Sequence, residues 1–299
     1  MGNVENNNIV NRPRLSIGLP VFNGELLIRD ALDSILGQTF TDFELIISDN
    51  GSHDRTEEIC RSCAAKDSRI RYLRNDVNKG VVWNFNRVFE IATGEYFKWV
   101  THDDVYRPTF LERCIEYLDQ NPDTVMVYTK TTDIDINGLV IEDRHWDLRE
   151  NSPFPWERFR HLICNEHSCF QIFAVIRSQA LRKTQLHGSY YGSDRVLLAE
   201  LSLLGPFYEV PEDLFLHREY SGRVTKTYDT PQLMYKLYKP DAGKQRSFPF
   251  CKLFREYFSV VSGSSLGLHD KLRCCFQLLR WIRWHHRDLI RDLTYNLKH

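Results

Sequence analysis

The stretch that decides the fold is Glu95-Tyr96-Phe97-Lys98-Trp99-Val100-Thr101-His102-Asp103-Asp104, a hydrophobic strand followed by an aspartate pair. An earlier strand, Phe43-Glu44-Leu45-Ile46-Ile47-Ser48, also ends on an acid, Asp49. Parallel α/β sheets bind ligands just beyond the carboxyl ends of their strands. Adjacent carboxylates there suit Mg²⁺ or Mn²⁺ carrying a diphosphate, because hard cations take oxygen ligands and keep substrate phosphates in their shell. The sequence therefore predicts an enzyme that handles a nucleoside diphosphate compound.

Around this stretch, strand and helix patterns alternate. Strands are predicted at 15–21, 43–48, 70–73 and 96–100, and helices at 26–36, 56–65, 82–92 and 110–118. This spacing is typical of an α/β fold with a doubly wound, mostly parallel sheet and helices on both faces. From about residue 230 the pattern becomes helical, and 248–261 and 268–297 are expected to form a C-terminal helical appendage outside the sheet.

The composition of the 299 residues is ordinary for a globular protein, with 42% hydrophobic and 26% charged residues. A formal net charge of −1 gives no basic field for nucleic acid, so no nucleic-acid partner is expected. The eight cysteines lack a pairing frame, and Cys60 and Cys63 are followed by no second pair at zinc-site spacing. Together with a start that has no apolar signal core, this favours a reducing, cytoplasmic location.

Short motifs follow one another through the first half, at 19–25 (LPVFNGE), 34–39 (SILGQT), 49–56 (DNGSHDRT), 78–80 (NKG) and 92–96 (ATGEY). With the aspartate pair, their order over 14–130 resembles the family 2 glycosyltransferases, which have the GT-A fold. The second half resembles the family more loosely, through 192–195 (GSDR) and 214–218 (LFLHR). The resemblance implies a flexible segment at 1–13 and a GT-A domain at 14–229, followed by a helical extension at 230–299. The domain divides into a nucleotide-sugar-binding half, 14–130, and an acceptor half, 131–229.

In this resemblance Asp49 accepts a hydrogen bond from the nucleotide base, usually uracil. The alternative is a turn acid that holds the loop at Asn50-Gly51. Val21 and Phe22 would wall the base slot, although both could equally be core residues at the strand end. The resemblance implies that the nucleotide sugar is bound by Pro20, Val21, Phe22, Asn23, Glu25, Asp49, Asn50, Gly80, Asn86, His102, Asp103 and Asp104.

The aspartate pair matches the end of the family's D-x-D-D pattern, which implies that Asp103 and Asp104 hold Mn²⁺ or Mg²⁺. The chain departs from the pattern at its first position, which is Thr101. The alternative is a helix N-terminus near Pro108, where acids are favourable.

Asp194 matches the acid that deprotonates the acceptor hydroxyl in inverting members, although Ser193 stands where Glu is commoner. The alternative is an ordinary N-cap before an apolar helix. Four more residues are candidates for contact with the acceptor or the diphosphate: Tyr190, Tyr191, His217 and Arg218.

The expected function is transfer of a sugar from a nucleotide-diphospho-sugar, UDP-linked, to a hydroxyl of a glycan or lipid-linked acceptor. Inversion, and a setting in surface polysaccharide or glycoconjugate synthesis, are implied by the resemblance. Two rivals stay open. Loss of the first acid of the metal motif fits a degenerate scaffold that only binds nucleotide sugar. A sugar nucleotidyltransferase shares the sheet and the metal, but normally has a Gly-rich phosphate loop after the first strand.

The last segment, 268–299, combines seven Lys and Arg residues with three Asp residues and an apolar stripe. Trp281 and Trp284 are rings of the kind favoured at membrane interfaces. One hypothesis is therefore peripheral association with the inner face of the cytoplasmic membrane. The alternative is a helix packed on the catalytic domain, with its basic face in solvent.

Overall fold

A computed structural model describes residues 12–144, 150–223, 226 and 248–298. Within these residues one sheet has nine strands. The strands are β1 (Leu15–Val21), β2 (Phe43–Asp49), β3 (Ile70–Arg74), β4 (Tyr96–Trp99), β5 (Val105–Tyr106), β6 (Met126–Ile134), β7 (Val140–Arg144), β8 (Val175–Arg177) and β9 (Phe207–Arg218).

The sheet has the order β3-β2-β1-β4-β8-β6-β9-β5, and β7 pairs with β6. The first four neighbours are parallel, β8 is antiparallel to β4 and β6, and β6 is parallel to β9. The predicted α/β fold with a mostly parallel sheet is confirmed. Because β1 opposes β2 in register, with Val21 beside Asp49, the ends of these two strands lie side by side.

Helices cover both faces of the sheet, since β2 buries Leu45 and Ile47 in one core and Ile46 in the other. Strands buried on both faces read as continuous apolar runs, as β2 does. The helices of the domain are α1 (Ile28–Leu36), α2 (Thr56–Ala64), α3 (Val81–Glu90), α4 (Phe110–Gln120), α5 (Pro155–Cys164), α6 (Ser178–Leu181) and α7 (Ser193–Leu204), with a 3₁₀ turn at Phe170–Phe173.

The C-terminal helices are α8 (Pro249–Gly263), α9 (Leu268–Trp284) and α10 (His286–Lys298). They pack on α5 and α7 through a third core, in which Phe159 and Val196 meet Tyr257, Cys274 and Trp281. The expected helical appendage is present, and it is packed on the domain.

Two details of the C-terminal segment differ from the sequence prediction. The helix-compatible stretch 268–297 is broken at His285, whose ring lies 4.6 Å from the Trp281 ring. The break returns α10 to the start of α8, where Asp292 accepts hydrogen bonds from the N–H groups of Phe250 and Cys251. Of the two alternatives for this segment, the membrane hypothesis placed Trp281 at an interface and the other packed the helix on the domain; Trp281 is 1% exposed because it fills the third core.

Candidate active site

The site is built where β1, β2 and β4 end. Asp49 is the last residue of β2, and Asp103 and Asp104 follow β4. The loops after β1 and β2 are bound to each other, since the Asn23 N–H donates to Ser52 Oγ at 2.9 Å. The parallel pairing therefore brings the sequence-predicted acids to one edge of the sheet.

Of the residues expected to wall the base slot, Pro20 and Val21 are buried in the core. Phe22 is 39% exposed, and its ring stands edge-on to His53 at 6.1 Å. The exposed Glu25 accepts a hydrogen bond from the Arg55 N–H at 2.9 Å, which ties the β1 loop to the start of α2.

Asp49 holds the turn that follows it. The Ser52 N–H donates to its Oδ1 at 2.8 Å across Gly51, whose φ of +78° favours glycine. The Tyr72 hydroxyl donates to Oδ2 at 2.7 Å, and burial together with this bond raises the pKa of Tyr72 well above its usual value. A carboxylate has about four acceptor positions. The turn role is therefore present, and the contact with a nucleotide base stays a prediction.

Asn50 fixes the loop before α3. Its Nδ2 donates to Asn78 Oδ1 at 2.8 Å, and its Oδ1 accepts the Lys79 N–H at 3.0 Å. Gly80 adopts a φ of +91° immediately before the helix. The loop thus takes one shape beside the strand ends, as binding of a ligand there requires.

Asn86 joins the two halves of the domain. Its Nδ2 donates to the His187 carbonyl at 2.9 Å, and its Oδ1 accepts the His187 N–H at 3.1 Å. The sequence placed Asn86 with the donor residues. In the structure Asn86 links α3 to the segment that contains His187, and its contact with the donor stays a prediction.

Asp104 is fully buried and held from several sides. Its Oδ2 accepts the Thr101 hydroxyl at 2.6 Å, and its Oδ1 accepts the Arg218 N–H at 3.0 Å and lies 3.2 Å from His217 Nδ1. Burial alone would raise the pKa of Asp104, but the His217 hydrogen bond and the Arg223 charge hold it well below its usual range. Asp104 is therefore a carboxylate anion at neutral pH.

Asp103 lies beside a cation that the sequence analysis missed. The Tyr220 hydroxyl donates to its Oδ2 at 3.2 Å, and Arg223 Nη1 lies 3.8 Å from Asp103 Oδ2 and 3.5 Å from Asp104 Oδ1. Neither Tyr220 nor Arg223 follows a motif spacing, because both reach the acids by tertiary folding beyond β9. Tyr72 was also missed, although parallel pairing of β3 with β2 brings it near Asp49.

Arg218 was predicted as a candidate for contact with the diphosphate. In the structure its side chain joins neighbouring segments of the site. Its guanidinium donates to the carbonyls of Asp103 and Ile136 at 3.0 and 2.6 Å, and to Asp30 Oδ2 at 3.1 Å. His102 packs on the β1 loop, since a Cβ added at Gly24 would meet its ring at 2.9 Å. Contact of Arg218 or His102 with the donor remains a prediction.

The donor atoms at the acids suit a hard divalent cation. Within the described part of the chain, no three His, Cys, Asp or Glu side chains come together as a metal cage. Mg²⁺-type sites need only one or two carboxylates when the substrate phosphates supply further oxygens. Asp103 and Asp104 meet that requirement, and His217 adjoins them.

Asp194 lies in the first turn of α7, where its Oδ1 accepts the N–H of Arg195 at 2.9 Å. The N-cap is Gly192, so simple capping by Asp194 does not describe the helix start. Burial, with the Asp194 charge as the next cause, raises the pKa of the Cys169 thiol well above its usual value. Asp194 is thus close to Cys169.

The segment that carries Cys169 connects Asp194 to the acid pair, Asp103 and Asp104. The ring of the next residue, Phe170, lies 4.4 Å from the His217 ring, and His217 contacts Asp104. Asp194 and the acid pair are therefore separated by one short segment. Of the two tyrosines beside Asp194, Tyr191 faces α8, with 6.0 Å between its ring and that of Phe250, and Tyr190 lies under Lys252.

Residues 16–185, more than half of the chain, match the model of glycosyl transferase family 2. The chain belongs to glycosyl transferase family 2. An uncharacterised glycosyltransferase of Methanocaldococcus jannaschii is 27% identical over 178 residues, 58% of this chain and 59% of the relative. One of Rickettsia typhi is 38% identical over 116 residues, 38% of this chain and 35% of the relative. The alignments thus span less than two thirds of these relatives.

Solved structures support the fold at 15% sequence identity. TarS 1–349 of S. aureus in complex with UDP-GlcNAc has a TM-score of 0.66, with 94% of this chain and 79% of that chain covered. The mannosyltransferase PcManGT from Pyrobaculum calidifontis in complex with GDP-Man and Mn²⁺ has a TM-score of 0.52, with 96% and 87% covered. The expected GT-A fold is confirmed.

Proposed function

We propose that this family 2 glycosyltransferase moves a sugar from a UDP-linked donor, with inversion, to a hydroxyl of a glycan or lipid-linked acceptor. The observation that carries the proposal is the placement of Asp103 and Asp104 at the strand ends, with Asp194 one short segment away. The solved complexes of TarS with UDP and UDP-GlcNAc support a nucleotide-sugar donor. Surface polysaccharide or glycoconjugate synthesis is the setting we propose.

GT-A glycosyltransferases commonly use divalent metals, and the Mn²⁺ complex of PcManGT supports the same use here. Mn²⁺ or Mg²⁺ would be held by Asp103 and Asp104, and would supply charge neutralisation to a leaving diphosphate. Arg223 adds a positive charge at the same place, 3.5 Å from Asp104 Oδ1. His217 and Arg223 keep Asp104 ionised, and the Arg218 N–H helps to orient its carboxylate.

The acceptor side is assigned to Asp194. As the acceptor oxygen bonds to the anomeric carbon, the bond from that carbon to the diphosphate oxygen breaks and the nucleoside diphosphate leaves. Asp194 takes the hydroxyl proton, which is the work of a general base. Attack from the face opposite the leaving group gives inversion. The charge on Asp194 lies beside the buried thiol of Cys169.

The test is incubation of the full chain with UDP-GlcNAc, UDP-glucose, UDP-galactose and GDP-mannose in Mn²⁺, with detection of the nucleoside diphosphate released. We expect release of UDP by the wild type, through transfer or slow hydrolysis, and its loss in Asp194→Asn. A binding scaffold would release none, and a nucleotidyltransferase would release no UDP but would, with added pyrophosphate, convert the UDP-sugar to UTP and the sugar 1-phosphate. Either result would contradict the proposal.

We also propose that α9 rests on an anionic lipid surface on the cytoplasmic side. Leu268, Leu272, Phe276 and Leu279 are exposed along one face of α9, opposite the residues it buries. Basic side chains border this face, so its charge complements anionic headgroups. Among the described residues no helix is long and apolar enough to cross a membrane.

Sedimentation with anionic liposomes tests the surface contact. Because truncation before α9 would remove Trp281 from the third core, point variants are the better probe. We expect the wild type to pellet and the pair Leu272→Gln and Phe276→Gln to stay in solution. The control pair Val140→Gln and Ile141→Gln, on exposed β7, should pellet like the wild type. Equal pelleting of all three proteins would contradict the lipid contact.

A further inference from the structure

A cavity of about 490 Å³ lies between the catalytic domain and the C-terminal helices. Its walls come from the segment after α5, from the start of α7, and from α8 and α9. This size lies within the range of small-molecule sites, about 300–1,000 Å³. The contacts assigned above to donor and metal do not use it.

One wall of the cavity is aromatic. Tyr191, Phe250 and Trp281 line it, and Trp284, which is 66% exposed, stands at its rim. The Trp281 ring is fixed in the third core and packs 4.6 Å from the His285 ring. Tyr191 and Trp284 keep part of their rings exposed, and such apolar faces are of the kind that the C–H faces of a pyranose ring cover.

The cavity also has a polar wall. Asn165, Glu166 and Ser168 line it with exposed amide, carboxylate and hydroxyl groups. The wall is rigid at its base, because His167 Nδ1 accepts the Cys169 N–H at 3.2 Å and Arg195 donates to the His167 carbonyl at 2.8 Å. A cavity lined by both donors and acceptors and by aromatic rings matches a sugar ring, whose edge carries hydroxyl groups.

The cavity adjoins the proposed base. Ser168 and Arg195 line it, and their chain neighbours Cys169 and Asp194 lie next to each other. Beyond Cys169, Phe170 leads to His217 and Asp104. A line of contacts therefore joins the cavity, through the residues next to Asp194, to the acid pair, so an acceptor in the cavity would lie beside the proposed base.

We infer that this cavity binds a pyranoside ring of the acceptor, so that the C-terminal helices form part of the acceptor site. The inference rests on the proposed glycosyl transfer and adds the class of acceptor and the place where it binds. A lipid-linked acceptor fits the same arrangement, because α9 contributes Trp281 and Trp284 to the cavity and its exposed apolar face to the surface.

Saturation-transfer NMR on the full chain tests the inference, with the methyl pyranosides of glucose, galactose, mannose and N-acetylglucosamine as probes. We expect at least one to receive saturation from the wild type. Trp284→Ala should weaken the binding of that glycoside about three- to tenfold, because one aromatic face is lost from the rim of the cavity. The matched control is Phe258→Ala, an aromatic residue 50% exposed on α8 and outside the cavity, which should bind like the wild type.

Calorimetric titration of the same proteins with UDP and Mn²⁺ separates the two proposals. The cavity inference is supported if the wild type binds both UDP and a glycoside, and if Trp284→Ala binds that glycoside more weakly. UDP binding without glycoside binding, or with equal binding by Trp284→Ala, overturns it and leaves the proposed function standing. Absence of UDP binding by the wild type overturns the proposed function, and with it the acceptor role of the cavity.

Discussion

Protonation of Glu150 makes the free energy of unfolding depend on pH, and one substitution at this residue should remove that contribution. Its carboxyl is buried, accepting the Tyr128 hydroxyl at 2.6 Å and the Gln171 Nε2–H at 3.1 Å. Burial raises the pKa of Glu150 to about 8, from about 4.5 in an unfolded chain. The folded protein thus binds a proton that the unfolded chain releases, and the stabilisation is complete below pH 4.5 and lost as pH rises through 8.

The size of the effect follows from the two pKa values. One pKa unit corresponds to about 1.4 kcal/mol, and linkage between values of 8 and 4.5 removes about 3.5 kcal/mol of stability between pH 5 and pH 8. Glu150→Gln is neutral throughout. Its amide can also donate to Gln171 Oε1, which is buried without a hydrogen-bond partner among the described residues. The free energy of unfolding of the variant should therefore rise by about 3.5 kcal/mol relative to the wild type as pH rises from 5 to 8.

Urea unfolding at pH 5, 6, 7 and 8 measures this gain. Comparing variant with wild type cancels other titrations, such as those of His167 and His187, whose pKa values burial lowers to about 4. Those two histidines lower stability as pH falls from 6.5 to 4 in both proteins. The control Glu142→Gln, exposed on β7, should show no pH-dependent difference. A Glu150→Gln difference that is the same at pH 5 and pH 8 would refute the reasoning.

Three further substitutions test the site. Asp194→Asn should lower kcat by about 10²–10⁴ with donor affinity unchanged, and near-normal turnover would point to another base. Asn86→Ala loses both hydrogen bonds to His187 and should cost about 1–3 kcal/mol in urea unfolding; an unchanged midpoint would show that the bonds add nothing. Arg223→Gln removes the cation beside Asp103 and should tighten Mn²⁺ binding without donor, measured by spin-resonance titration; weaker binding would show that Arg223 does not compete with the metal.

Local sequence patterns were sufficient to predict the edge of the sheet that carries Asp49, Asp103 and Asp104. Apolar runs mark β2 and β4, and the acids that follow them lie at the same edge because the strands are parallel and in register with β1. The position of Asp194 in the first turn of α7 follows from the apolar run after it. These features depend on residues close together in sequence, and such patterns carry that information.

Contacts between distant segments could not be predicted in the same way. Arg223 lies 119 residues after Asp104, and no periodicity links the two. Tryptophan is a residue type that is common at membrane interfaces, but Trp281 is buried here because α5 and α8 supply apolar surface around it. The cavity likewise needs the turn at His285, which depends on how α10 returns to α8.

The central claim is that the acids after β4 bind a nucleoside diphosphate through a metal. Calorimetric titration of UDP into the wild type and Asp103→Ala, each with and without Mn²⁺, tests it most directly. The account predicts Mn²⁺-dependent binding by the wild type and its loss in the variant, with the same unfolding midpoint because Asp103 lies at a strand end and outside the apolar core. Equal Mn²⁺-dependent affinity in the two proteins would contradict it.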